Sequence, residues 1–462
     1  DNVEPILAQG PATSGPCGCA MGSTLSSPVE LIRVQRHGSA AFRCAVAEMQ
    51  GMRVHHEDAH SVRVGSSFAD FWVLDGHGGD AAAHFGAGAL GKEFSAMESP
   101  QQPYGCCQPS GAACSRLPTD ETAVSTFRRV DEQLRAHIVA NPAKASGSTV
   151  VGVVAAKGRD GAYALKLLNC GDSRGVLVRG PQEKQEDDLG AAVRLPQRQQ
   201  ADLGKGAESG GPAPRWPVIV ASDDHKPDRP DERYRIEQAG GYVSPDTPPR
   251  LDGDLAVSRG LGDFEHKASN ILSPLKQKVS CEPEIYEVSG LRPGTLCILA
   301  CDGVWDVFAS EQVASFVRSR LSDKPGADLG DIAAELVRES LHRGSMDNVT
   351  AMIVHLVDGR SWEDGMPDEL KFFDKLRSLE ILDDDVKNQY LKFLQRVDFP
   401  REPAECTVCG RWFASMQQCP CKGPLYCSTA CQREGWQQHR PECTWVKEGI
   451  ESSEMPVLVP AT

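Results

Sequence analysis

Phe68-Ala69-Asp70-Phe71-Trp72-Val73-Leu74-Asp75-Gly76-His77-Gly78-Gly79 decides how this chain is read. An apolar run of strand length stops on Asp75, and the paired glycines turn the chain away from it. A carboxylate and an imidazole are thereby delivered by the end of a buried strand into a cleft. Taken alone, Asp-Gly at such a place is turn chemistry. Repetition gives it weight, because acidic motifs recur at other strand ends.

Those companions are Arg53-Val54-His55-His56-Glu57-Asp58-Ala59-His60, Cys301-Asp302-Gly303-Val304-Trp305-Asp306 and Met346-Asp347-Asn348-Val349-Thr350. Between them stand Asn169-Cys170-Gly171-Asp172-Ser173-Arg174-Gly175, Asp224-His225-Lys226-Pro227 and Leu255-Ala256-Val257-Ser258-Arg259-Gly260-Leu261-Gly262-Asp263. In this order and at these separations the motifs resemble the metal-dependent protein phosphatases, the protein phosphatase 2C type, over residues 31 to 358.

Composition narrows the alternatives. The 462 residues carry 49 Lys and Arg against 64 Asp and Glu, a formal charge of -15. Duplex nucleic acid is an unexpected partner, since phosphate neutralisation needs clustered cations and no Lys/Arg run exists. No stretch approaches the length of apolar residues that spans a bilayer, so no transmembrane helix is expected. The 17 cysteines sit in a long chain whose first residues lack an apolar signal core. They read as reduced thiols, which implies a cytoplasmic or nuclear protein.

Two hydrophobic periods mix within one region, as in an α+β domain. Strand-like runs lie at Phe68–Leu74, Thr149–Val154, Leu165–Leu168, Gly175–Val178, Val218–Ala221, Leu296–Ala300 and Val349–Leu356. Helical spacing covers Gly79–Met97, Glu121–Ala140, Ser310–Leu321 and Ile332–Leu341. Strands clustered between helices, without regular βαβ alternation, predict antiparallel sheets covered by helices. The resemblance makes this an αββα sandwich of two antiparallel sheets flanked by helices.

Residues 101–116 and about 181–215 read as insertions, the second too polar to bury its own core and therefore a flexible surface loop. Beyond Val357, residues 359–400 are expected to be a helical linker with helices at Pro367–Leu382 and Asp384–Val397. A finger at 401–445 and a tail at 446–462 complete the chain, which opens on an extension at 1–30.

Phosphate ester hydrolysis needs a nucleophile at neutral pH, neutralisation of the dianion and a proton for the leaving oxygen. The resemblance implies two Mg²⁺ or Mn²⁺ ions: Asp75 bridges both, Asp302 and Asp347 complete one, and Glu57 with the Gly76 carbonyl holds the other. A weaker third cation would draw on Asp172 and Asp306 with Asp302. By the same resemblance Asp58 orients a water, Arg53 binds phosphate with its fork, and His77 is the general acid. His60 reads as structural or supporting, and Asp224–Pro227 with Ser258-Arg259 as shaping the domain and its flap. Gly260 stands where the family commonly has Ala.

Seven of the cysteines fall between Cys406 and Cys443. With His439 they make eight soft ligands, enough for two tetrahedral zinc sites. Tyr426-Cys427-Ser428-Thr429-Ala430-Cys431-Gln432, then Trp436 and His439, closely resemble a MYND finger over 406–443. That family's alternating scheme implies Cys406, Cys409, Cys427 and Cys431 on one zinc and Cys419, Cys421, His439 and Cys443 on the other. Only Pro420 separates Cys419 from Cys421, where two residues are common. So short a segment has no core to fold without metal. MYND fingers bind peptides, often proline-rich, so a protein partner is implied.

The function so implied is a metal-dependent protein serine/threonine phosphatase of signalling, acting on phosphoproteins recruited by its finger. A catalytically silent adaptor on the same scaffold is the alternative, against which every metal-ligand position holds a competent residue. A MYND-containing lysine methyltransferase would need a SET domain for which no sequence is left. No His-Cys-x5-Arg loop is present to serve a thiolate mechanism. Met21-Gly22-Ser23-Thr24-Leu25-Ser26 fits N-myristoylation if Met21 is the translation start. One such chain anchors weakly and reversibly, so peripheral membrane contact is expected only if Gly22 is acylated.

Overall fold

The computed structural model describes residues 24–96, 117–180, 192–194, 218–323, 327–359, 366–373, 384–447 and 455–461. Met21-Gly22, the insertion at 101–116 and most of that at 181–215 lie outside them. Part of the second insertion departs from the expected loop. Ala192–Arg194 forms an edge strand on Glu284–Leu291, where Arg194 grips Asp120 at 2.6 Å and Glu287 at 2.5 Å.

That strand closes a six-stranded sheet running 192–194, 284–291, 163–170, 150–157, 68–74, 59–64. A nine-stranded sheet runs 218–221, 174–178, 296–300, 349–356, 42–49, 32–38, 369–371, 412–413, 404–405. Adjacent strands in both are antiparallel.

Alternation along each strand divides its side chains between two cores. Phe71 and Val73 enter the layer between the sheets beside Phe42, Val153, Leu167, Leu299 and Val354. Trp72 and Leu74 face the helices Ala81–Ala96 and Asp120–Ala140, against Leu90, Phe94, Phe127 and Leu134. Because both faces are covered, the strand is apolar except at Asp70, which accepts a hydrogen bond from Trp72 Nε1 at 2.7 Å. Truncating Trp72, which is fully buried, would cost about 3–5 kcal/mol.

The nine-stranded sheet is covered in the same way by Ser310–Asp323 and Leu329–His342, through Val313, Val317, Ile332, Leu336 and Val337. Helix, sheet, sheet, helix is the expected αββα order. Among the described residues no helix is long and apolar enough to cross a membrane.

The segment after Val357 differs from the expected helical linker. Helix Asp384–Arg396 is present, but Glu369–Lys371 is a strand on Ile32–Gly38, and residues 374–383 lie outside the described ones. Leu370 packs with Val29, Leu31, Phe393 and Leu394 in a small satellite core. Glu369, 1% exposed, ion-pairs with Arg36 at 2.7 Å and with Arg411. An open sheet edge offers backbone partners and a buried face, and these outweigh local helical spacing. Trp412–Phe413 and Ala404–Glu405 continue the same edge, so the cysteine-rich segment is docked on the sandwich.

Candidate active site and metal centres

Loops at one end of the two sheets enclose a cleft of about 710 Å³ lined by Arg53, Glu57, Asp75, Gly76, His77, Asp172, Asp302 and Asp347. Each arrives on a strand end: Arg53 closes Gly51–Arg53, Asp75 follows Phe68–Leu74, Asp172 follows Tyr163–Cys170, Asp302 follows Leu296–Ala300 and Asp347 precedes Val349–Leu356. The strands are held rigidly by the cores, so the carboxylates need no local sequence neighbourhood to meet.

Asp75, Asp172 and Asp302 present oxygens within 4.8 Å of one another. Burial, then the neighbouring carboxylates, push Asp75 and Asp302 well above the usual carboxylate range. Glu57 is raised by burial. The cations at hand are few: Lys226 Nζ lies 2.5 Å from Asp172 and Arg53 Nη2 2.5 Å from Asp347. A concentration of buried like charge asks for protons or for cations, and all-oxygen donors match hard Mg²⁺ or Mn²⁺. The residues present fit such ions.

Asp58 and Asp306 do not line the cleft. Asp58 is buried behind it, accepts a hydrogen bond from Thr350 Oγ1 at 2.6 Å, and is pushed up to about 7 by burial. Its Oδ1 meets no partner among the described residues, so the expected water-orienting role has an acceptor at hand. Asp306 is exposed at the end of the short helix Asp302–Trp305 and touches the set through its charge on Asp302.

His77 faces the cleft with Nε2 2.9 Å from both oxygens of Asp263. Burial opposes its charge, yet the Asp263 carboxylate outweighs it and the imidazole is raised above its ordinary value. Asp263 is lowered in return, His77 overcoming burial. Gly147 makes the pair fit: a Cβ there would stand 2.1 Å from Asp263 Oδ1 and 2.2 Å from His77 Nε2.

Asp263, Asn348 and Lys226 are the residues that sequence reading passed over. Asn348 Oδ1 accepts from the Glu57 amide at 2.8 Å, while its Nδ2 donates to Gln50 O and His55 O. One side chain thus fixes the Glu57 loop against the Asp347 loop. All three stand inside quoted motifs, which was the available signal. Ser258-Arg259 behaves structurally, as expected: Glu232, buried, binds Arg259 and Arg235 at 2.7 Å each and Ser258 Oγ at 2.5 Å. Asp224–Pro227, by contrast, also reaches the cleft, through Lys226 on Asp172. His60 contacts Gln35 at 2.5 Å and Glu48 at 3.3 Å, outside the cleft lining.

In the finger, Cys406, Cys409, Cys427 and Cys431 form one set and Cys419, Cys421, His439 and Cys443 the other, each with ligand atoms within 4.8 Å. Sulfur separations of 3.8, 3.5 and 3.7 Å for Cys409–Cys427, Cys427–Cys431 and Cys419–Cys443 approach the ~3.8 Å edge of a tetrahedron with zinc–sulfur bonds of about 2.3 Å. His439 offers Nε2, 3.2 Å from Cys421 Sγ. The set with the single-residue spacing at Pro420 also brings its four ligand atoms within 4.8 Å. Burial raises the Cys406 thiol, but backbone N–H groups of Cys409, Val408 and Cys427 draw it down to about 7.

Fold and site together define an αββα phosphatase sandwich with a cysteine-rich finger that gathers two four-ligand sets. The chain matches the Protein phosphatase 2C family over residues 42–195 and 217–349, and the MYND finger over 406–443. Protein phosphatase 1B of Mus musculus is 32% identical over 343 residues, 72% of this chain and 75% of its own. Protein phosphatase 1A of Homo sapiens is 32% identical over 72% and 76%. A phosphatase structure from a pathogenic strain of Toxoplasma gondii superposes with a TM-score of 0.55 at 22% identity, covering 74% of this chain and 99% of that one. The chain belongs to the protein phosphatase 2C family. It is a protein serine/threonine phosphatase carrying a zinc finger of MYND type, in a family that depends on Mg²⁺ or Mn²⁺.

Proposed function

We propose that this phosphatase hydrolyses phosphoserine and phosphothreonine in proteins that its finger recruits. The convergence of Asp75, Asp172 and Asp302 opposite the His77–Asp263 pair supports this reading most strongly. Asp75, Asp302 and Asp347 would hold one Mg²⁺ or Mn²⁺, and Asp75, Glu57 and the Gly76 carbonyl a second. Asp172, Asp306 and Asp302 would take a weaker third. When bound, the cations supply charge neutralisation and a nucleophilic water at neutral pH.

The remaining work falls to side chains. Arg53 orients phosphate oxygens through its guanidinium, and Asp58 accepts a proton or hydrogen bond from behind the cleft. His77, oriented by Asp263, gives its proton to the departing serine or threonine oxygen. In the finger, each four-ligand set takes one zinc, and the recruited partner is a peptide segment, including proline-rich ones. The protein works in cytoplasm or nucleus, with weak membrane contact if Gly22 is acylated.

Turnover of a phosphopeptide panel with Mn²⁺ or Mg²⁺, lost on chelation, tests the reading; an inert protein across the panel overturns it in favour of the silent adaptor. Elemental analysis should count two zinc ions, and a count of one would remove the Cys419-Cys421 site. Mass analysis of the native N-terminus decides acylation: an unmodified Gly22, or sequence upstream of Met21, removes the lipid.

A further inference from the structure

One strand paired with the finger comes from beyond its metal-ligand residues. Val459–Pro460 pairs antiparallel with Gln417–Gln418, on the edge opposite Leu425–Tyr426. The Ala461 amide donates to Met416 O at 3.0 Å, and Gln432 Nε2 donates to Pro456 O at 2.7 Å. Gln432 is 4% exposed, so without that carbonyl its amide would lose a partner in a nearly dry place. Ahead of the paired residues Pro456 is buried, Val457 is 87% exposed and Leu458 is half-buried, while Val459 and Pro460 are both exposed. Met455 and Leu458 pack on the cluster of Cys419, Tyr426, Trp436 and Cys443, and Ala461 on that of Cys406, Phe413 and Met416.

We propose that residues 455–461 are an internal ligand filling the finger's peptide-binding edge, which a recruited protein must displace. The displacing ligand is an extended peptide of the same form: a buried proline, a leucine two residues later on the same face, and main-chain hydrogen bonds to Gln417–Gln418. Strand addition draws affinity from the backbone and specificity from alternate side chains, and both are supplied here by the chain itself. The inference rests on the finger's recruiting role. Residues 448–454 tether the segment to helix Thr444–Lys447, and short tethers give local concentrations of roughly millimolar. Only a tighter or more abundant peptide then gains the edge.

The test is fluorescence anisotropy of a labelled peptide with the sequence of residues 455–461, titrated with the full chain, the chain ended at residue 450, and full-length Leu458→Glu. The latter two should bind at least about 10-fold tighter than the full chain, the tether no longer competing. The Ala461 amide of the full chain should be protected from hydrogen exchange at any protein concentration. Equal binding by all three forms overturns the filled edge and leaves recruitment standing. Binding by none removes the edge and the recruiting role together. Protection that grows with protein concentration assigns the tail to a second copy and overturns docking within one chain.

Discussion

The cleft and the finger both gather ligands for cations, but by opposite routes. Asp75, Asp302 and Asp347 come from distant strand ends that two buried cores hold in place. The finger's eight ligands all lie within residues 406–443, and its cysteines themselves form much of its small apolar clusters. A sandwich whose core is complete without metal can tolerate repelling carboxylates as a functional strain. A finger without such a core depends on metal for its fold.

This contrast is sharpest under loss of zinc. Cys409→Ser with Cys421→Ser takes a ligand from each set, and structural zinc is worth roughly 10–16 kcal/mol. Elemental analysis should find the zinc gone and hydrogen exchange should find 404–447 unprotected. Hydrolysis of a small phosphate ester should stay within about threefold, as for distant independent sites. A collapse of that activity would break the comparison, with the docked strands 404–413 as the coupling element.

Asp302→Asn addresses the other side. Turnover should fall at least about 10³-fold, the several kcal/mol a cation clamp supplies, while the thermal midpoint holds or rises because one repelling carboxylate is gone. A lowered midpoint would show that Asp302 serves the fold.

Glu232 shows how the sandwich treats charge it keeps for structure. Glu232→Ala leaves Arg259 and Arg235 without their buried partner and should cost about 3–5 kcal/mol by denaturant unfolding. Burial alone would raise this carboxyl, yet Arg259 and Arg235 hold it far below its ordinary value. Its stabilisation is therefore complete above its unfolded pKa of about 4.3 and is lost as pH falls toward the folded value. The variant should show a flatter stability profile in that acid window; parallel profiles would assign the acid sensitivity elsewhere.

The smallest effect belongs to Asp263, which acts through His77. Asparagine keeps the hydrogen bond and suits the left-handed backbone there (φ 50), so Asp263→Asn should lower kcat/KM about 10-fold, or ~1.4 kcal/mol. His77→Ala should cost about 10² to 10⁴. Added to His77→Ala, the Asn substitution should change nothing further; additive losses would detach Asp263 from the imidazole.

Much of this was legible in the residues. Phe68–Leu74, Val218–Ala221, Leu296–Ala300 and Val349–Leu356 appear with the boundaries their apolar runs suggested, because each is apolar along most of its length and is bounded by polar or turn residues. The strand at Glu369–Lys371 was not legible, since its cause is the edge of Ile32–Gly38 far away in the chain. Nor was the His77–Asp263 pair, whose members stand 186 residues apart.

By itself the sequence determined the kinds of ligand, hard carboxylates in one region and thiols in another, since donor chemistry resides in the side chain. It also determined both families, since the motifs keep their order and separation. Tertiary structure alone decided which carboxylates face the cleft and which, like Asp58, stand behind it. It alone docked the finger on the nine-stranded sheet and laid residues 455–461 along the finger's edge. Those outcomes depend on which backbone edges remain unpaired after the cores close, a property of the assembled sheets that no local stretch of residues encodes.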